Sequence, residues 1–204
     1  MAFDADLTAY YEAEARGNHR TKQVDLRVGL RQRFGKLLRG ESRTRILDVG
    51  AGPGLDVAGF QADGFAVVGL DLAPANVDVM RRRGLSALAG SLYQLPFRTG
   101  AFEALWSMST FVHVPDERND EAITEMLRVV QPAGLLGVGT WGGVDFEGLL
   151  EVGDLRPYRF FSLASHARWR ATLARHADVE LFETFETDDP LRWEYQFTVL
   201  RVPS

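Results

Sequence analysis

The residues best able to do chemistry in this 204-residue chain stand together in one stretch, Asp48-Val49-Gly50-Ala51-Gly52-Pro53-Gly54. Glycines there permit positive φ and close approach of a ligand to the backbone, and a helix beginning at Leu55 would turn its unpaired N–H groups towards the same spot. Asp71 follows 21 residues after Gly50, at the end of a second apolar run. A carboxylate at such a position accepts from both hydroxyls of a ribose, so the pair suits an adenosine-type ligand. Asp71 can equally cap a helix opening at Pro74; the glycine turn upstream tips the reading to binding. For Asp48 two roles stay open, an anchor for the amides of the turn or a receiver for a cationic amine on the ligand. Phosphate recognition is disfavoured. The third glycine of a GxGxxG fingerprint is replaced by Leu55, Pro53 removes an amide from any pyrophosphate cradle, and no Gly-Lys-Ser/Thr of a P-loop is present.

His113 is the candidate general base, because it follows the fourth apolar run, on the carboxyl edge of a parallel sheet where ligands bind, and an imidazole titrates near neutrality. Its bland alternative is a loop residue that caps backbone groups. His166 and His19 are weaker candidates. Tyr10 and Tyr11 read either as a lid over the ligand or as the apolar side of a docking helix. The stretch 141–161 combines Trp141, Phe146, Tyr158, Phe160 and Phe161 with Asp145, Glu147, Glu151 and Asp154. That mixture suits a pocket wall for an apolar or cationic small molecule, or a surface loop with solvated charges. The chain has no cysteine, which excludes disulfides, thiolate metal sites and a cysteine nucleophile; no metal site is expected.

These residues need a scaffold, and the pattern around them alternates. Strands are predicted over 44–49, 65–70, 85–89, 101–107 and 133–141, with helices over 55–62, 74–83 and 117–130 between them. Strand and helix alternating in this way imply parallel pairing through right-handed crossovers, hence an α/β, doubly wound, Rossmann-like sheet with helices on both faces. Helical stretches at 7–15 and 21–38 precede it. A helix over 165–176 and strands over 178–186 and 193–202 follow, the two strands joined by a short turn-rich link, so the C-terminal edge is expected to be antiparallel. No repeat or low-complexity linker divides the chain, and one domain is expected: a helical cap over 1–43, a ligand-binding core over 44–141, and a substrate-side segment with the last strands over 142–204.

Taken together, D-V-G-A-G-P-G at 48–54 and L-D-L at 70–72 resemble the class I S-adenosylmethionine-dependent methyltransferases. Gly90-Ser91-Leu92 with Leu95-Pro96-Phe97, Phe102 to Ser107, Val112-His113-Val114-Pro115-Asp116, and Glu125 to Gly134 continue the resemblance in the family's order over about 44–141. The resemblance implies S-adenosyl-L-methionine as cofactor, bound by Asp48, Gly50, Ala51, Gly52, Gly54, Asp71, Leu72, Ser91, Leu92, Ser107 and Met108. It implies in-line methyl transfer to a small-molecule acceptor, with His113 as base and Tyr10, Tyr11, Trp141 and Phe160 around the acceptor. Two positions depart from the family's pattern. Ser91 stands where an acid is frequent, which puts an adenine amino contact through that side chain in doubt and leaves a backbone contact from Leu92. Ala133-Gly134 replaces a glycine pair before the fifth strand.

Two other classes compete with a methyltransferase. One is a non-catalytic cofactor-binding subunit; the other is a nicotinamide oxidoreductase, disfavoured by Leu55 and Pro53. Nucleic acid is a minority acceptor: net charge is −5, no Asn-Pro-Pro-aromatic motif follows the fourth strand, and no thiol is available for attack on a pyrimidine. The charge is uneven, with ten Lys/Arg against Asp25 and Glu41 between Arg16 and Arg45, a local +8 against −13 elsewhere. Val24, Val28, Phe34, Leu37 and Leu38 suggest that a helix here packs one face on the domain with its arginines covering the outside. Arg81-Arg82-Arg83 suits the negative end of its helix. Without a signal-like start or a run of ~18 apolar residues, a cytoplasmic, membrane-free protein is expected; its oligomeric state is left open.

Overall fold

The computed structural model describes residues 2–17, 24–151, 155–187, 191 and 193–204. Strand β1 (Arg45–Val49) is covered from Ile46 onwards, as a central parallel strand must be when helices lie on both faces. Around it β2 (Ala66–Asp71), β3 (Ala87–Ala89), β4 (Phe102–Met108) and β5 (Val130–Gly142) pair in parallel. Strands β8 (Asp178–Phe185) and β9 (Glu194–Arg201) complete a seven-stranded sheet of order β3-β2-β1-β4-β5-β9-β8. The antiparallel character expected at the C-terminal end is present, because β9 runs against both β5 and the outermost strand β8.

Alternation along the strands sorts the core into two layers. On one face Leu47, Leu105, Leu136 and Leu200 meet Ile123 and Met126 of α5 (Asn119–Val129) and Trp169 and Leu173 of α6 (His166–Ala174). On the other, Ile46, Trp106 and Phe197 meet Phe34 and Leu38 of α2 (Asp25–Gly40) and Phe60 of α3 (Leu55–Ala62). Each large side chain so buried contributes about 1.5–3 kcal/mol against exposure. Next to α3, α4 (Pro74–Arg82) sets Val77 and Met80 against Ala51 and Val57. The first helix, α1 (Ala2–Arg16), lies across the carboxyl ends of the strands and packs on α4 and on the segment Arg159–Leu163.

Three features differ from the sequence reading. The stretch 141–161 is neither loop nor simple wall: β6 (Phe146–Leu150) and β7 (Arg159–Leu163) form a separate antiparallel ribbon. In α2, Phe34 and Leu38 are packed as expected, but Val24 and Leu37 are exposed and Leu30 is buried instead. The arginines do not all cover the outside. Arg31 is buried and Arg27 largely so, because α3 offers them Asp56, which is fully buried, and its C-cap Asp63. Gly59 leaves the space that Arg31 needs, since a Cβ there would lie 2.3 Å from the guanidinium carbon. Finally, β5 starts early at Val130 opposite Phe102, then shifts register before Leu135, with Ala133 at φ 59° where glycine would sit without strain. The Arg81–Arg83 run is tied down locally, Arg81 donating to the carbonyl of Ala87 and Arg83 to that of Pro53.

Candidate functional site

The glycine turn leaves β1 and folds back over the end of β2. The amides of Gly50 and Ala51 both donate to the carbonyl of Leu70, at 2.8 and 3.0 Å, and Gly50, Gly52 and Gly54 all take positive φ. Gly50 is also sterically required, because an added Cβ would lie 2.0 Å from Oγ1 of Thr110. At Gly54 the pressure comes from inside, a Cβ meeting Met80 at 2.5 Å, so this glycine brings α3 close to α4 and lies away from any ligand.

Asp71 locks the turn to the next helix. One carboxylate oxygen accepts from the amide of Gly52 at 2.7 Å; the other accepts from the amide of Ala73 at 2.9 Å and from Asn76 Nδ2 at 3.1 Å. Asp71 is not the cap of α4, whose N-cap is Ala73 without a side-chain cap bond; it ties the approach to that helix instead, and Asn76, five residues on in the first turn of α4, is a site residue that the sequence reading missed. Asp48 is fully buried, with neither oxygen hydrogen-bonded among the described residues. Burial, reinforced by Asp56 and opposed by Arg27, pushes its carboxyl well above the ordinary carboxylate range.

A cleft opens between this turn and the carboxyl ends of β2 and β4. Gly50, Gly52, Asp71, Leu72, Ser91, Leu92 and Met108 line it, as do Tyr11 and His113. Other predicted residues lie outside the cleft lining. Ala51 and Gly54 pack towards α4, and Ser107 is buried beneath, donating to the carbonyl of Val49 at 3.0 Å. Trp141 packs edge-on against Tyr195 and borders a separate small cavity, and Tyr10 is buried. The ring of Phe160 does not line the cleft; its backbone carbonyl takes part instead.

That carbonyl orients His113, which stands in a short 3-10 turn, Phe111–His113, after β4. Nδ1 of His113 lies 2.8 Å from the oxygen of Phe160, and Nε2 lies 2.8 Å from Oη of Tyr11. A carbonyl only accepts, so Nδ1 carries the hydrogen, and in the neutral imidazole Nε2 accepts from the Tyr11 hydroxyl. Nη1 of Arg159 donates to the same Tyr11 oxygen at 3.3 Å. Arg159 and the orienting carbonyl come from adjacent residues of β7, and neither was singled out from sequence as part of this cluster. Glu12, one residue past Tyr11, accepts from the amide of Ala75 at 2.7 Å and so fastens α1 to the start of α4.

Ser109, also missed, lines the cleft at φ 60°, a costly conformation for a residue with a Cβ. Its amide donates to the carbonyl of Gly139 at 2.7 Å, and its hydroxyl lies 3.2 Å from that of Tyr195. Tyr93 lines the cleft too; burial pushes its phenol up to about 12, against the pull of the Arg118 guanidinium stacked 3.3 Å from the ring centre.

Among the described residues, the acids of 141–161 are engaged with groups outside the cleft lining. Glu147 accepts from the amide of Asp116, Asp145 from that of Ser165 and from Arg168, and Glu151 from the Tyr158 hydroxyl. Asp154 and His19 fall outside the described residues. His166 is held between Gln196 and Glu194, away from the cleft lining. Among the described residues no cluster of His, Asp and Glu could hold a metal ion, and no helix is long and apolar enough to cross a membrane.

A glycine turn after β1, an acid closing β2 and a seven-stranded sheet with β9 inserted antiparallel together define the class I S-adenosylmethionine-dependent methyltransferase fold. Residues 46–134 match the family model described as a methyltransferase domain. An uncharacterized methyltransferase of Mycobacterium sp. (strain JLS) is 35% identical over 106 residues, 48% of this chain and 40% of that protein. The 2-methyl-6-phytyl-1,4-hydroquinone methyltransferase of Synechocystis sp. is 34% identical over 113 residues, 50% of this chain and 33% of that one. The chain thus spans well under half the length of these curated relatives. Among solved structures, the 1,6-didemethyltoxoflavin-N1-methyltransferase of Burkholderia thailandensis, with its substrate and S-adenosylhomocysteine bound, superposes with a TM-score of 0.74 at 17% identity. That match covers 100% of this chain and 90% of the other, and shows the fold.

Proposed function

We propose that this chain transfers a methyl group from S-adenosylmethionine to a small-molecule acceptor. The observation that carries the reading is one cleft lined by two unlike groups: a positive-φ glycine turn locked to Asp71, and a histidine whose Nδ1 is held by a backbone carbonyl. The relatives named as hydroquinone and ubiquinone-biosynthesis methyltransferases support a small acceptor.

The residues present fit the cofactor. Asp48 is an orphaned buried acceptor at the foot of the turn, of the kind a cationic amino group would satisfy. Asp71, whose oxygens accept from Gly52, Ala73 and Asn76, is the carboxylate that lines the cleft where a ribose hydroxyl would be received. Leu72 and Leu92 give the cleft apolar surface for a purine. When bound, S-adenosylmethionine supplies a methyl group already activated by its sulfonium, which leaves the protein the tasks of placement and water exclusion. Helix α1 covers the cleft with Leu7 and Tyr11. His113 takes a proton from a protic acceptor on Nε2, while Phe160 keeps Nδ1 protonated.

Calorimetric titration with S-adenosylhomocysteine and, separately, with NADH tests the cofactor assignment. Binding of the first alone is expected, and binding of NADH alone would sink the reading. A screen of small molecules with methyl-labelled cofactor then tests transfer. His113→Ala is expected to lower turnover on the acceptor found by about 100-fold or more, with S-adenosylhomocysteine affinity kept; unchanged turnover would remove His113 from the mechanism.

A further inference from the structure

Behind Tyr11, which lines the cleft, stands a guanidinium that pairs with no carboxylate among the described residues. Arg159 is half-buried, its Nε has no hydrogen-bond partner, and none of its contacts is with a carboxylate. Its guanidinium is held by aromatic faces instead, 4.2 Å from the ring centre of Tyr10, 5.0 Å from that of Phe161 and 5.8 Å from that of Tyr11. Such faces attract a cation without neutralising it. A desolvated cation with a spare donor is suited to an oxygen that carries negative charge.

The structure also shows what such an oxygen looks like in place. The Tyr11 hydroxyl, itself a phenol, sits 2.8 Å from His113 Nε2 and 3.3 Å from Arg159 Nη1. It is an acidic hydroxyl set between a base and a guanidinium, on a helix that reaches the site from outside the sheet. Resting on the methyltransferase reading above, we propose that the acceptor belongs to the phenol or enol class, and that its ionisable hydroxyl takes the place held by the Tyr11 hydroxyl. The acceptor's O–H bond breaks, its proton forms an N–H bond on Nε2 of His113, and the electron pair stays on oxygen beside Arg159. An ammonium acceptor is disfavoured there by repulsion from the guanidinium, and Asp145, Glu147 and Glu151 are engaged elsewhere.

The test uses the full chain saturated with S-adenosylhomocysteine and two probes matched in shape, 4-nitrophenol and 4-nitroaniline. Calorimetry is expected to give the phenol at least a tenfold affinity advantage, and the absorption band of the phenolate is expected to appear at lower pH in the complex than in solution. Arg159→Met is expected to lose about tenfold in phenol affinity and to shift that ionisation back up, with S-adenosylhomocysteine binding unchanged. Tyr11→Phe, which removes the competing hydroxyl, is expected to bind the phenol more tightly. Equal binding of the two probes, no binding of the phenol to a protein that binds S-adenosylhomocysteine, or an ionisation indifferent to Arg159 would each overturn the proposal. The probe comparison needs no variant, so it decides even if Arg159→Met misfolds. Failure to bind S-adenosylhomocysteine would instead remove the reading on which the proposal rests.

Discussion

Gly50→Ala puts the geometry of the turn under a direct test. With φ at +73° an alanine there is left-handed, which costs an L-residue about 1–2 kcal/mol. The new Cβ would lie 2.0 Å from Thr110 Oγ1 and 3.1 Å from both Cβ and Cγ2 of the same residue. No rotation about χ1 clears all three atoms, because the threonine Cβ does not move with χ1. Thr110 must therefore shift, and the 3.1 Å bond from its hydroxyl to the carbonyl of Val49 is lost, at a further cost of about 1 kcal/mol. The carbonyl keeps Ser107 as a donor, which limits the damage. Together these effects predict a loss of about 2–3 kcal/mol, or ~4–12 °C in melting temperature for a chain of this size. Thermal denaturation and S-adenosylhomocysteine calorimetry would be run on Gly50→Ala, Thr110→Ala and the double variant. The double variant is expected to recover about 1 kcal/mol relative to additivity, since removing the hydroxyl and Cγ2 relieves most of the overlap but none of the φ penalty. A fall of less than 2 °C, or a strictly additive cycle, would refute the steric argument.

Asp71→Ala strips acceptors from Gly52, Ala73 and Asn76 and is expected to weaken S-adenosylhomocysteine binding by about 1–3 kcal/mol, as read by calorimetry; retained affinity would reduce Asp71 to a structural tie. Asp56→Asn leaves the guanidinium of Arg27 short of its counter-charge in a buried network that also includes Trp106 Nε1 at 3.0 Å. A loss of about 3–5 kcal/mol in urea denaturation is expected, and a loss under 1 kcal/mol would show that water reaches the network. For Asp48 the sign follows from its raised carboxyl. The unfolded chain releases this proton above about pH 3.9 while the folded chain keeps it, so stability falls as pH rises from there towards the folded value. Asp48→Asn removes that contribution, and in urea unfolding its stability relative to wild type should climb between pH 4 and pH 7. A constant difference across that range would mean that Asp48 is ionised in the fold.

The parts legible in the sequence are those whose partners lie close along the chain or whose burial is one-sided in composition. Strands β1, β4 and β5 are largely covered on both faces, so they appear as apolar runs, and the turn from Asp48 to Gly54 meets Asp71 across a single helix. The ribbon β6–β7 is hidden by the same logic. Phe146–Leu150 has no fully buried residue and its sequence, FEGLL, does not alternate apolar with polar, and its pairing comes from backbone hydrogen bonds that leave no mark on composition. In α2, periodicity treats every arginine as outward-facing, yet Arg27 and Arg31 turn inward because Asp56 and Asp63 lie about thirty residues further on. No window of helical length contains both halves of those pairs.

The same contrast runs through the site. Asp71 was ambiguous in sequence between capping a helix and receiving a ligand, and the geometry leaves the cap position to Ala73. Donors from the turn and from α4 hold the carboxylate in one orientation, so a ligand hydroxyl would meet an acceptor whose rotamer entropy is already lost. Tyr11, His113 and Arg159 stand on the opposite footing. They are separated by 102 and 148 positions along the chain, and each alone reads as a lid residue, a loop histidine or a surface charge. Their chemistry exists only after β7 has brought a carbonyl and a guanidinium beside the 3-10 turn and α1 has closed over both. A family whose members share the turn and its acid can therefore diverge in this cluster by changing a helix and a hairpin, elements that take no part in the pairing of the sheet. The turn is accordingly readable from a motif, whereas the cluster has to be read from coordinates.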